Sequence, residues 1–280
     1  MLGRMSTPFS NQLTDREVRW LRHIAVHGPQ SSEFLLELVS DTHRCRDTGK
    51  RTLQKLREAK YLRLPPQQNQ IAKADFNPYV YDLTRQAELH LQGLGDPKTV
   101  CPTGHWWHAF LTANLTSAIA IETARRGYRY IPAHEILNRN RATLAIPLGK
   151  QKLIPDQLFA IDYGGKFRSF VLEVDRSTEP YRSGTARKSI KRMLEQYAEV
   201  FEKDTARAHY GLKSPLLLLM VFVCPGRAAK VLEMLGKYPG LQAVGLIKSV
   251  EAGFARYSIL DTAMRERFVR SKFAPLGLFH

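Results

Sequence analysis

The sequence has few cysteines, a shortage of acidic side chains and no long apolar run, and each lack narrows what the chain can be. Its 280 residues include three cysteines, Cys45, Cys101 and Cys224, an odd number without paired metal-ligand spacing. This excludes a disulfide framework and a zinc ribbon and suits a reducing compartment. The longest apolar stretch, Leu216–Cys224, is under half of the roughly 20 residues a spanning helix needs. The first residues, MLGRMSTPFSNQ, lack the apolar core and cleavage site of a signal peptide. A soluble, cytoplasmic protein without a membrane partner is expected. Acidic residues number 26 against 42 Lys and Arg, giving a formal net charge of +16 and a pI near 9.9. Such an excess suits a polyanion, because phosphate neutralisation supplies most sequence-independent binding to nucleic acid. Residues 1–95 carry 14 basic and 10 acidic side chains and the remainder 28 and 16, so both parts are basic.

With 44% hydrophobic residues the chain can build two cores. Thr14-Asp-Arg-Glu17 is a capping box opening a helix with Val18, Leu21, Ile24 and Ala25 inward, stopped by Gly28-Pro29. Ser31 or Ser32 can cap a second helix with Phe34, Leu35, Leu38 and Val39 inward. Asp47 can cap a third, ending near Lys60. That third helix buries Leu53, Leu56 and Ala59 and presents Lys50, Arg51, Gln54, Lys55 and Arg57, with Arg44 and Arg46 just before it. Tyr61–Leu64 and Tyr79–Leu83 read as a hairpin around the Pro65-Pro66 turn, and Thr84 starts another helix. Three helices and a hairpin are the plan of a winged helix-turn-helix, whose third helix enters the major groove of duplex DNA. The alternative is a packing module with a solvated basic face. Leu91–Gly104, rich in Gly and Pro, reads as a linker, which puts the domain boundary between residues 95 and 96.

The second part is expected to be α/β, and the whole chain α+β. A helix is expected from His105 to Arg126, with His108, Leu115, Ile119 and Glu122 on one stripe. Glu122, near the helix end, reads as a solvated acid. Trp106 and Trp107 read as packing residues. Arg129–Leu137 suggests a strand entering a short helix. Leu153–Arg176 is two β-rich arms around Gly164-Gly165, a pair suited to a two-residue turn with positive φ. Without a bulge, Leu158 pairs with Val171 and Asp156 lies across from Glu173, their β-carbons about 4.5–5.5 Å apart. Asp175 follows on the same face. Three like charges on one face call for a counter-charge, and Mg²⁺ or Mn²⁺ is the expected cofactor. The alternative is a strand end with ordinary solvated acids. A helix from about Thr185 to Lys203 follows, with Ile190, Leu194, Tyr197 and Phe201 inward and Lys188 within reach of the acids. Ser214–Pro225 reads as a buried central strand, Pro225-Gly226-Arg227 as the opening of a helix and Gly240–Lys248 as another strand.

Pro155-Asp156 followed by Glu173-Val174-Asp175-Arg176 resembles the core of PD-(D/E)xK restriction-endonuclease-like nucleases. The order of a winged helix, a histidine-led helix, the Pro-Asp strand, an ExDR-type strand with Thr178-Glu179 and a Lys188-to-Tyr197 helix resembles the replication-relaxation family. It is similar in turn to MobC-type plasmid relaxases and, more distantly, to transposase endonuclease subunits. The resemblance implies metal-dependent nicking of duplex DNA by a plasmid or mobile-element protein in the cytoplasm. Asp156, Glu173 and Asp175 would be its metal ligands, Lys188 or Arg176 would contact the phosphate, and His108 would orient the nucleophile; the alternatives are a core-edge histidine bonded to a backbone carbonyl at His108 and a solvated basic helix face at Lys188. Arg46, Lys50, Arg51, Lys55 and Arg57 would dock on DNA. A homodimer and partner proteins of the mobile element are compatible with this reading. Asp175 stands where that nuclease pattern has a lysine, which keeps open a catalytically inactive DNA-binding regulator as the alternative.

Overall fold

The computed structural model describes residues 13–42, 45–67, 79–100, 105–177, 180–183, 189–250, 268–272 and 276–279. The chain divides into two compact units, Met1–Lys98 and Thr99–His280.

The first unit opens with α1 (Asp15–His27), started by the capping box: Thr14 Oγ1 accepts the Glu17 N–H and the Glu17 carboxylate accepts the Thr14 N–H. Trp20, fully buried, donates its indole N–H to the Leu35 carbonyl at 2.6 Å. β1 (Gln30–Ser31) leads into α2 (Ser32–Leu38), capped by the Ser31 hydroxyl, and then comes α3 (Arg46–Glu58). Cys45, rather than Asp47, is the N-cap of α3, and Asp47 sits in the first turn near the positive end of the helix dipole. Gly49, Leu53 and Leu56 are the buried face of this helix. β2 (Leu62–Arg63) and β3 (Val80–Leu83) pair antiparallel, and β1 pairs with the other edge of β3. Part of the Pro65 turn lies outside the described residues. α4 (Arg85–Gly93), capped by Thr84, continues into the segment expected as linker and buries Leu91.

The second unit begins with α5 (Trp106–Arg125), in which Trp106 stacks on Phe110 with ring centroids 5.1 Å apart. β4 (Arg129–Pro132) and α6 (Ala133–Asn140) follow. A small unanticipated hairpin is next, β5 (Ile146–Leu148) and β6 (Gln151–Leu153), turned at Gly149. β7 (Gln157–Asp162) and β8 (Phe167–Asp175) are the long hairpin. Gly164 and Gly165 have φ of 82° and 92°, and the Tyr163 N–H bonds the Lys166 carbonyl at 2.8 Å to close the turn. Leu158 pairs with Val171, the register the sequence dictates. α7 (Ile190–Glu202) and α8 (Thr205–Tyr210) cross over to β9 (Leu216–Phe222), which is buried along its whole length. α9 (Pro225–Leu235), α10 (Pro239–Gln242) and β10 (Gly245–Ser249) complete the main elements. The strand expected over Gly240–Lys248 thus starts only at Gly245, its first three residues being helical because Pro239 suits a first helical position.

The sheet order is β10-β9-β8-β7-β4. β4, β7 and β8 are antiparallel neighbours, whereas β8, β9 and β10 run parallel. Leu158, Val171, Leu218 and Met220 share one core with Leu194, Tyr197 and Val231 of α7 and α9. α5 packs against β4 and β8. Glu122 departs from the solvated acid expected of it: it is buried and accepts from Arg126 Nε at 2.8 Å, one helical turn away.

Candidate functional site

The acids meet where β7 begins and β8 ends. One step beyond the last ladder pair, Gln157 with Leu172, the Asp156 N–H still bonds the Leu172 carbonyl at 3.0 Å. The Asp156 carboxylate then bends back, and Oδ2 accepts the Val174 N–H at 2.7 Å. Its other oxygen lies 2.9 Å from Nε2 of His108, in the first turns of α5. Glu173, 5% exposed, accepts a 2.7 Å hydrogen bond from the Tyr197 hydroxyl of α7. Burial pushes the Tyr197 phenol well above its usual pKa, and the negative charges of Glu173 and Asp156 push it further. Tyr197 therefore stays protonated and donates, and its phenol lies within electrostatic reach of both acids.

Asp175 has a different partner. Its Oδ1 accepts the Ser177 N–H at 2.6 Å, and Oδ2 is 2.7 Å from Nε and 2.5 Å from Nη2 of Arg227 in the first turn of α9. Beside Glu173 and Asp175, the crevice bounded by Ile190, Met193, Met220 and Phe222 holds about 10 Å³, room for about one water. Among the described residues, no group of three or more His, Cys, Asp or Glu is arranged to hold a metal ion. Asp156, Glu173 and Asp175 are therefore gathered at one strand end but do not form a shared ligand set in this arrangement. At Asp175 a counter-charge is supplied by Arg227.

Arg176 points to His105, with Nη1 3.4 Å from Nδ1, instead of to the acids. Lys188, Thr178 and Glu179 lie outside the described residues. The sequence reading gave no role to Arg227, and a usable signal existed. β9 runs parallel to β8, so a helix opening directly after β9 starts at the strand end that carries Asp175.

The first unit carries a second candidate surface. Asp47, Lys50, Arg51, Gln54 and Arg57 of α3 line an open cleft of about 360 Å³ with Ser32, Tyr79 and Tyr81. Lys50 and Arg57, three residues before and four after Leu53, flank the buried face of α3 and are half-buried, whereas Arg51 is exposed on its far side. Arg46 is held by Glu33 of α2, and Lys55 is exposed but does not line the cleft. Arg44 lies outside the described residues.

A sequence model of the replication-relaxation family matches residues 21–216. The chain belongs to this family. The match begins within α1 and ends at the first residue of β9, so it takes in both α3 and the strand ends bearing Asp156, Glu173 and Asp175. Arg227 lies beyond it. No curated protein and no solved structure matches the chain. Among the described residues, no helix is long and apolar enough to cross a membrane.

Proposed function

We propose that this protein binds duplex DNA and acts in the replication or relaxation of a plasmid or mobile element, docking through the exposed face of α3. The observation that carries the reading is the cationic cleft of Lys50, Arg51 and Arg57 beside β3. Three helices followed by antiparallel strands give the order of a winged helix, in which the third helix enters the major groove and the strands lie near the backbone. The family membership and the net charge of +16 agree with a DNA partner. The test is fluorescence anisotropy on a labelled duplex across a salt series. Binding should weaken steeply with salt, and Lys50→Ala with Arg51→Ala should lower the log–log slope by about 0.9 for each phosphate no longer neutralised. Salt-independent binding, or a double variant with the wild-type slope, would remove α3 as the docking face.

A second reading, nicking of the bound DNA by a PD-(D/E)xK-like unit, is favoured by the gathering of Asp156, Glu173 and Asp175 where β7 begins and β8 ends. Conversion of supercoiled plasmid to open circles with Mg²⁺ or Mn²⁺ tests it. Activity lost in Asp156→Ala and Glu173→Ala supports it. DNA binding without nicking leaves the regulator, with or without a partner protein of the mobile element.

A further inference from the structure

Arg227 is largely withdrawn from solvent. Its side chain is 12% exposed, the Asp175 side chain is 8% exposed, and two guanidinium nitrogens converge on one carboxylate oxygen. The guanidinium also lies over the Tyr181 ring, 4.7 Å from its centroid, and Lys230, three residues later, lies 5.7 Å from the same centroid. The acid is fixed as well: Ser177 donates to Oδ1, and the Val223 N–H, just past β9, donates to the Asp175 carbonyl at 3.2 Å. A guanidinium is charged at every pH a protein meets, and a buried carboxylate is stable only with a partner.

We infer that Arg227 is a built-in substitute for a divalent cation at this strand end. It neutralises Asp175 permanently and keeps that carboxylate out of any metal's coordination shell. It also sets the low affinity of the acid cluster for divalent ions. Glu173 accepts from a phenol, and Asp156 is held by an imidazole and a backbone amide. The inference concerns cation binding and is read without DNA, so it can fail or hold while docking through α3 stands.

The test uses Mn²⁺ as the probe on the EDTA-treated full chain, with free Mn²⁺ read by electron paramagnetic resonance and melting followed in parallel. Arg227→Met leaves Asp175 buried without its cation. This variant should bind Mn²⁺ at least about tenfold more tightly than wild type and should be stabilised by Mn²⁺ where wild type is not. Adding Asp175→Asn to it should abolish the gain. Asp175→Asn in the wild-type background should leave Mn²⁺ affinity unchanged, and Arg227→Gln, which keeps a polar side chain beside Asp175 but no charge, should show the same gain if Arg227→Met fails to fold. Wild-type Mn²⁺ binding that disappears in Asp175→Asn, or Arg227→Met with wild-type affinity, overturns the inference.

Discussion

The Tyr197 hydroxyl donates a 2.7 Å hydrogen bond to Oε1 of Glu173, joining α7 to β8 inside the core of the second unit. Both side chains are buried, so neither can exchange this bond for water. Tyr197→Phe should cost about 1.5–3 kcal/mol, the range for removing a hydrogen bond to a charged group. Urea denaturation measures it. A change below about 0.5 kcal/mol would mean that Glu173 finds another donor.

The cations of α3 should not contribute equally to DNA affinity. Lys50 and Arg51 line the open cleft, whereas Arg46 is held by Glu33. Arg46→Ala should therefore weaken binding less than Arg51→Ala at the same salt concentration. Anisotropy titrations of the single variants compare them, and a larger effect from Arg46→Ala would move the docking surface toward the start of α3.

Acid should destabilise the first unit through the paired rings of His23 and His27, whose centroids are 4.4 Å apart in α1. Burial lowers His23 from about 6.5 to about 3, and His27 is also pushed well below its usual value by burial and by His23. Below about pH 6.5 the unfolded chain takes up protons that the folded chain refuses, so stability falls as pH falls. The slope reaches about 1.4 kcal/mol per pH unit for each histidine, and it vanishes above about pH 7. Between about pH 7 and pH 5, wild type should lose about 2 kcal/mol more than His23→Gln. Equal losses in denaturant melts at the two pH values would contradict the burial argument.

The β7–β8 turn offers a purely backbone test. A β-carbon at Gly165 would meet nothing within 4 Å, but its φ of 92° is costly for any L-residue. Gly165→Ala should destabilise by about 1–2 kcal/mol without altering DNA affinity. No change in the urea midpoint would show that the turn relaxes to another form.

How much of this was legible in advance depends on how local each cause is. The Thr14 capping box, the Gly164-Gly165 turn and the pairing of Leu158 with Val171 are fixed by residues a few positions apart, and the sequence determined them by itself. The same turn chemistry gathers Asp156, Glu173 and Asp175 at one strand end. What each acid then does was decided by tertiary structure. Glu173 received Tyr197, 24 residues away, and Asp175 received Arg227, 52 residues away. Glu122 passed from an expected solvated acid to a buried partner of Arg126 once its helix was packed. The spacing of charges along a chain places them on faces and at strand ends. Only the packing of distant helices onto those ends settles which counter-charge arrives first, because that depends on crossovers whose direction the sheet imposes.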